Sequence, residues 1–228
     1  MVWLNAADHL IVHTEAMALA LKTMGVTTKI NVIHLFDYYS ADAMMPLEDT
    51  LNRKNEVAFA GNLEKSKFLE LLMKHTFQDV NIMLYGLKGN RNLEGSDNIH
   101  YQGVFQSDHT GAVKAGWGLV WDGDRLDTCS GILGNYLKLN SSHKLSLYLA
   151  SGIPVIVWKE SALASWLTER HVALAISSLN DLESSIASVS DIEYKDMVIE
   201  ARKLGNRLRN GELLKEQLKK IQSGYETM

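Results

Sequence analysis

Cysteine and proline are scarce in this chain of 228 residues, and each scarcity narrows the class of protein. The single cysteine, Cys129, cannot form an internal disulfide, and no cysteine or histidine spacing matches a zinc site. With only two prolines and few low-complexity tracts, disorder is expected only at the ends of the chain. A cytoplasmic location is the simplest interpretation of this cysteine usage.

An excess of basic charge and an apolar leader are also missing. Lysine and arginine number 23 against 27 aspartates and glutamates, which gives a net charge of −4 and argues against broad nucleic-acid binding. The first ten residues have no basic region, and no apolar run has the length of a spanning helix. We therefore expect a globular protein with neither a signal peptide nor a membrane span.

Short apolar runs alternate with helical or polar segments from Glu56 onward. This pattern predicts six strands of an open parallel sheet with helices on both faces, a Rossmann-like α/β fold. The predicted strands are 57–60, 80–85, 99–101, 118–121, 154–158 and 173–176. In such a sheet the ligand cleft lies beyond the carboxyl ends of the strands, so the residues that follow each strand are candidates for the site.

The two ends of the chain have different patterns. Residues 8–36 predict a strand, a helix and a second strand, and a polar segment with the composition of a linker follows at 38–55. Residues 193–221 predict two helices interrupted near Asn210 and Gly211, with a solvated basic face.

The stretch 140–158 predicts a short helix that leads into a buried strand. Ser141 and Ser142 are good N-cap residues, and Gly152 supplies a left-handed stop. Lys144 lies in the first helical turn, where free amides and the helix dipole already form a positive end, so an anion such as a diphosphate is expected beside it. The alternative is a solvated surface lysine.

Other candidates follow the predicted strands. Each has an ordinary structural alternative: glycines of tight turns, half-buried tyrosines at strand ends and solvated aspartates in turns. Tyrosine rings at strand ends can stack on a base, an aspartate after a strand can bind ribose or sugar hydroxyls, and hydroxyl, amide and imidazole groups near a helix start can bind phosphate. The candidates besides Lys144 are Gly61, Asn62, Tyr85, Gly86, Tyr101, Asp122, Asn140, His143 and Ser146.

Three segments together resemble one family. The segment H-K-L-S-L-Y-L-A-S-G-I-P-V resembles the nucleotide-binding helix of GT-B glycosyltransferases. With W-D-G-D-R-L-D-T-C-S-G and F-A-G-N-L-E-K-S-K-F-L, the chain is similar to bacterial glucosyltransferases that extend glycans on serine-rich-repeat adhesins, and to related galactofuranosyltransferases. The resemblance covers residue 57 to the C-terminus well and the first fifty residues less specifically.

The resemblance implies a transferase that moves a hexose from a UDP-sugar to a glycan or glycoprotein. It implies Lys144 on the diphosphate, Tyr85 or Tyr101 near the base, no metal, no further cofactor, and self-association or a complementing N-terminal lobe. It divides the chain into a remnant of the acceptor-side lobe with a linker (1–50), a nucleotide-sugar-binding lobe (51–192) and C-terminal helices (193–228).

It assigns no catalytic residue, because an acceptor-side base usually comes from the first lobe. Two other functions stay open at this point. The first is a nucleotide-sugar-binding subunit or remnant without transfer. The second is a sugar-nucleotide epimerase of the same fold.

Overall fold

Two parallel sheets organise the chain. The computed structural model describes residues 2–93 and 97–226. The first sheet pairs β1 (His9–Val12) with β2 (Lys29–Val32), and α1 (Glu15–Thr23) connects the two strands. The side chain of Thr14 accepts a hydrogen bond from the amide of Met17 and so caps α1. The predicted strand, helix and strand are thus confirmed, with shorter strands than the sequence pattern suggests.

The second sheet contains six strands that all run parallel, in the spatial order β5-β4-β3-β6-β7-β8. The chain first builds outward from β3 to β5, and it then returns to the other side of β3 with β6. The point between β3 and β6 is therefore the topological switch point, where ligands bind in open α/β sheets. The strands confirm the prediction within two residues: β3 (Glu56–Ala60), β4 (Asn81–Tyr85), β5 (Ile99–Gly103), β6 (Trp117–Val120), β7 (Val155–Trp158) and β8 (Ala173–Ile176).

Helices cover both faces of this sheet. The helices that follow β2 in the chain are α2 (Leu47–Leu51), α3 (Leu69–Leu72), α4 (Gly131–Tyr136), α5 (His143–Ala150), α6 (Ala164–Thr168), α7 (Leu182–Ser188), α8 (Asp191–Arg209) and α9 (Glu212–Glu226). Within residues 2–93 and 97–226, no helix combines the length and the apolar content needed to cross a bilayer.

Helix α5 begins and ends where the sequence predicts. Ser142 accepts a hydrogen bond from the amide of Lys144, and Gly152 adopts a φ of +82° just after the helix.

A tyrosine on α5 forms a hydrogen bond with β3, one of the two strands at the switch point. The hydroxyl of Tyr148 accepts a hydrogen bond of 2.7 Å from the amide of Ala60, at the end of β3. Helix α5 is thereby fixed against the carboxyl end of β3.

Helix α8 packs closely across α5. A Cβ atom at Gly205 would lie 2.0 Å from the carbonyl oxygen of Leu149, so the two backbones approach to a distance that only glycine permits. Helix α8 begins at Asp191, two residues before the start that the sequence predicts for the C-terminal helices. The predicted break lies at Gly211, whose φ of +68° separates α8 from α9.

The linker, residues 33–55 between β2 and β3, is hydrogen-bonded to both α5 and α8. The amide of Phe36 donates to the Oγ of Ser146 on α5, at 3.1 Å. The amide of Tyr38 donates to the carbonyl of Leu208 on α8, also at 3.1 Å. The backbone of the linker is thus held from two sides, next to the start of α5.

Cys129 lies buried in the loop after β6. Burial is the main reason that the pKa of its thiol is raised, to about 12. A thiol in this state is a small packing residue rather than a nucleophile.

Candidate functional site

Lys144 lies where α5 begins, beside the carboxyl ends of β3 and β6. Its ammonium Nζ lies 3.4 Å from each carboxylate oxygen of Asp122 and 5.5 Å from the centre of the Phe59 ring. Its aliphatic chain passes over Gly61, where a Cβ atom would lie 3.2 Å from the Lys144 Cε. The structure thus brings together Gly61, Asp122 and Lys144, three residues that the sequence singled out from three separate segments.

Asp122 is the counter-ion of Lys144 within the chain. Burial raises the pKa of the Asp122 carboxyl, and the neighbouring Lys144 ammonium partly opposes that shift. Both side chains retain about a fifth of their surface exposed, 19% for Lys144 and 22% for Asp122. The pair is therefore partly buried, and a ligand can still reach the ammonium group.

Only glycine fits at position 86, because the turns after β3 and β4 contact each other there. A Cβ atom at Gly86 would lie 1.8 Å from the carbonyl oxygen of Gly61, and Gly86 has a φ of +128°. The amide of Gly61 in turn donates to the carbonyl of Tyr85. The turns after β3 and β4 therefore pack backbone against backbone, which brings the Gly61 turn beneath Lys144.

A cavity of about 340 Å³ opens beside this cluster. One end is polar and contains Asn62, His143 and Lys144. The other end is mainly apolar, with Leu147 of α5 and the loop after β5. The full lining is Tyr38, Ala60, Gly61, Asn62, Gly86, Leu87, Val104, Phe105, Ser107, His143, Lys144 and Leu147.

His143 is oriented by the linker. Its ring stacks flat on Phe36, with centroids 4.1 Å apart and an interplanar angle of 7°. Phe36 also makes a T-shaped contact with the ring of His13, and the two ring centroids lie 4.3 Å apart. His143 therefore lines the polar end of the cavity in an orientation set by the segment that connects the two sheets.

The two predicted base-stacking tyrosines do not line this cavity. Tyr85 is only 4% exposed, and its hydroxyl donates to the carbonyl of Lys114 and accepts from the amide of the same residue. The hydroxyl of Tyr101 donates to the carbonyl of Gly86, and the ammonium of Lys88 lies 5.1 Å from its ring centre. These contacts hold both rings outside the lining, and their role beside a base stays a prediction from the sequence.

Asn140 and Ser146 also lie outside the lining. The side-chain oxygen of Asn140 lies 2.9 Å from Nδ1 of His13, next to the first sheet. Ser146 is fully buried, and its hydroxyl is the acceptor for the amide of Phe36. The polar atoms of Asn140 and Ser146 thus bond to His13 and to the linker, and their expected position beside a phosphate stays a prediction from the sequence.

The apolar half of the lining was missed by sequence reasoning. Leu147 had a usable signal, because it lies three residues after Lys144 on the same face of α5. Tyr38, Val104 and Phe105 had none, because they belong to a polar linker and to a loop that only the fold brings to α5. Among the described residues, no three His, Cys, Asp or Glu side chains are grouped so that they could hold a metal ion.

Comparison with known proteins identifies the family. Residues 57–221 match the family described as Glucosyltransferase 3-like, C-terminal domain. The chain belongs to this family. The matched part of this glucosyltransferase 3-like chain begins in β3 and ends within α9, so it contains the six-stranded sheet and the residues that line the cavity beside Lys144 except Tyr38.

Two bacterial relatives share sequence with this glucosyltransferase 3-like chain. The β-1,6-galactofuranosyltransferase WbbI of Escherichia coli is 30% identical over 224 residues, which cover 96% of this chain and 65% of WbbI. Glucosyltransferase 3 of Streptococcus gordonii is 35% identical over 105 residues, which cover 46% of this chain and 30% of the relative. The chain thus spans less than two thirds of the length of either relative.

Solved structures confirm the GT-B type of fold for this glucosyltransferase 3-like chain. Sucrose-phosphate synthase of Thermosynechococcus elongatus superposes with a TM-score of 0.61 at 15% identity, over 99% of this chain and 60% of the other. Anabaena HepE, solved in complex with UDP-glucose, superposes with a TM-score of 0.59 at 13% identity, over 96% of this chain and 64% of HepE.

Proposed function

We propose that this protein is a glycosyltransferase that uses a UDP-sugar donor and transfers its hexose to a glycan or glycoprotein acceptor. One observation carries the proposal. Lys144 stands at the start of α5, at the switch point of the sheet, and lines a cavity with a polar and an apolar end. This arrangement suits a nucleoside diphosphate, whose anionic and heteroaromatic parts require different surroundings.

The diphosphate belongs at the polar end. The first-turn amides of α5 and the positive end of its dipole favour an anion, and the ammonium of Lys144 adds a full charge at the same place. When the bond between the sugar and the diphosphate breaks, negative charge accumulates on the departing UDP. Groups that are already oriented toward that charge stabilise the transition state, so Lys144 and the helix start would supply the leaving-group stabilisation. No metal or other cofactor enters this proposal.

The relatives support the same chemistry. WbbI is named as a galactofuranosyltransferase, the streptococcal relative is named as a glucosyltransferase, and HepE was solved with UDP-glucose. For this chain the proposal names the donor sugar as a hexose and the acceptor as a glycan or glycoprotein, and it goes no further. A cytoplasmic location, self-association and the division into three parts stay predictions from the sequence.

Calorimetric titration with UDP, in buffer without divalent metal, tests the donor site. We expect saturable binding to the wild type. Lys144→Ala should weaken that binding by about 1.5 to 3 kcal/mol, the usual loss for a charge-assisted contact, which is about tenfold to 150-fold in Kd. Lys159→Ala is the matched control, because Lys159 is exposed and lies outside the cavity lining. Unchanged affinity for UDP in a folded Lys144→Ala protein would show that Lys144 does not bind the diphosphate.

Transfer is tested separately from binding. The wild type is incubated with UDP-hexoses and candidate glycan acceptors, and released UDP and glycosylated product are both measured. Product formation that is lost in Lys144→Ala supports the transferase. Tight UDP-sugar binding without product, across a broad acceptor panel, would favour a nucleotide-sugar-binding subunit instead.

A further inference from the structure

Tyr38 of the linker and Phe105 of the loop after β5 are aromatic side chains that the structure adds to the cavity. We propose that the ring of Tyr38 forms a wall of the pocket for the base of the nucleotide donor, and this inference rests on the proposed function. It assigns to the linker a direct part in donor recognition.

The direction of the cavity supports this assignment. Lys144 and Leu147 both line it, and they lie about 4.5 Å apart along the axis of α5. The lining also includes Val104 and Phe105 in the loop after β5, which lies two strands from β3 in the sheet, so an apolar side of the cavity lies away from the ammonium group. A nucleotide whose diphosphate is bound at Lys144 can therefore extend its base toward the apolar end, where Tyr38 contributes its ring.

Two of the lining side chains are aliphatic and exposed. Leu87 and Val104 are each 62% exposed, although both line the cavity. A flat base bound between them and Tyr38 would cover this apolar surface. An aromatic ring is the side chain best suited to the wall, because every base has a face on which it can stack.

The backbone of Tyr38 is held in place before any ligand binds. Its amide donates to the carbonyl of Leu208, and two residues earlier the amide of Phe36 donates to Ser146. Little conformational freedom remains to be lost in this segment on binding, which favours affinity. Burial and the nearby Asp108 raise the pKa of the Tyr38 phenol, so the ring is presented in its neutral form.

Two ligands and three variants test the proposal. Calorimetry measures UDP, and inorganic pyrophosphate is measured as a competitor that lacks a base. We expect Tyr38→Ala to weaken UDP binding about fivefold to 150-fold, the effect of removing one base-stacking side chain, and to leave competition by pyrophosphate unchanged. Tyr38→Phe should keep most of the UDP affinity, because the ring remains.

The neighbouring Tyr39 is the matched control. It is 70% exposed and lies outside the cavity lining, so Tyr39→Ala should bind UDP as the wild type does. Thermal unfolding of each variant checks that the fold is retained.

The outcomes separate this inference from the proposed function. If the wild type binds UDP and Tyr38→Ala binds it equally well, the inference fails and the donor site stands. Equal loss of UDP and pyrophosphate in Tyr38→Ala also overturns it, because the ring would then support the phosphate end. If the wild type binds no UDP, both proposals fail.

Discussion

The ammonium group of Lys144 lies 3.4 Å from both carboxylate oxygens of Asp122, so the cation that we assign to the donor diphosphate already has an anionic partner in the chain. A diphosphate must therefore compete with Asp122 for Lys144. The pair lets a lysine remain in a partly buried position, but it lowers the electrostatic attraction that the site offers to an incoming anion.

Asp122→Asn tests this competition. The amide keeps the size of the side chain and removes the negative charge, so we expect UDP binding to strengthen by about 1 kcal/mol, the typical value of a partly exposed ion pair. Calorimetric titration with UDP measures the change. Asp127→Asn is the control, because that carboxylate pairs with Arg125 outside the cavity. Weaker UDP or UDP-sugar binding in Asp122→Asn would show instead that the carboxylate contacts the ligand, as the sequence suggested for ribose or sugar hydroxyls.

Tyr148→Phe is expected to destabilise the fold at the switch point. The hydroxyl of Tyr148 accepts the amide hydrogen of Ala60, and both residues are almost completely buried. Removing the oxygen leaves a buried N–H group without its partner, which costs about 1 to 3 kcal/mol. Urea unfolding monitored by circular dichroism gives the free energy. Tyr136→Phe, at a tyrosine that is 49% exposed, should change it by less than about 0.5 kcal/mol. Equal stability of Tyr148→Phe and the wild type would contradict this account.

Gly86→Ala is expected to displace the turns beneath Lys144. Its Cβ atom would lie 1.8 Å from the Gly61 carbonyl, so the backbone must move in addition to adopting a strained φ. Gly25→Ala is the control for strain alone, since Gly25 also has a positive φ but its Cβ would meet nothing within 4 Å. We expect about 1 to 2 kcal/mol of lost stability in Gly25→Ala, a larger loss in Gly86→Ala, and weakened UDP binding only in Gly86→Ala. Similar effects of the two substitutions on both measurements would argue against the steric explanation.

The hydrogen bonds of the Glu183 carboxylate predict how the free energy of unfolding depends on pH. Its Oε1 accepts from the amides of Gln78, Asp79 and Val80, and these bonds lower the pKa of the carboxyl. The ionised form is therefore favoured by folding. Its stabilisation is present above the unfolded pKa of about 4.3 and is lost as the pH falls through the lower pKa of the folded state.

Glu183→Gln should accordingly cost about 1 kcal/mol at pH 7, because the carboxylate is partly screened by solvent, and progressively less as the solution is acidified. Urea unfolding at several pH values measures this difference. Glu169→Gln, at an exposed position, should show no such trend. A difference between Glu183→Gln and the wild type that stays constant with pH would refute the assignment.

The six strands and α5 were predictable because their signals are local. Most of the strands contain an apolar run between turn residues, as parallel strands covered on both faces must, and the exception is β5 at the edge of the sheet, with the sequence I-H-Y-Q-G. Helix α5 begins at Ser142 and stops at Gly152, two residues whose capping roles depend only on their neighbours. The order β5-β4-β3-β6-β7-β8 is not local, so the position of the switch point between β3 and β6 had to come from the fold.

Helical geometry explains why Ser146 lies outside the cavity lining. Two residues along an α-helix rotate a side chain by about 200°, so Ser146 points away from the face that carries Lys144, whereas Leu147 returns to that face. This relationship was available in the sequence. The position of Tyr38 was not, because nothing near it in the chain indicates that the linker would be bonded to Leu208 and so reach the cavity.

The buried thiol of Cys129 makes the chain convenient for spectroscopy. Burial raises the pKa of this thiol to about 12, so it stays protonated at pH 8, and the sulfur is also shielded from reagents. An exposed position such as Tyr39, replaced by cysteine, would therefore react with a maleimide dye far faster than the native thiol. A single fluorophore placed beside the cavity in this way would report nucleotide binding without prior removal of Cys129.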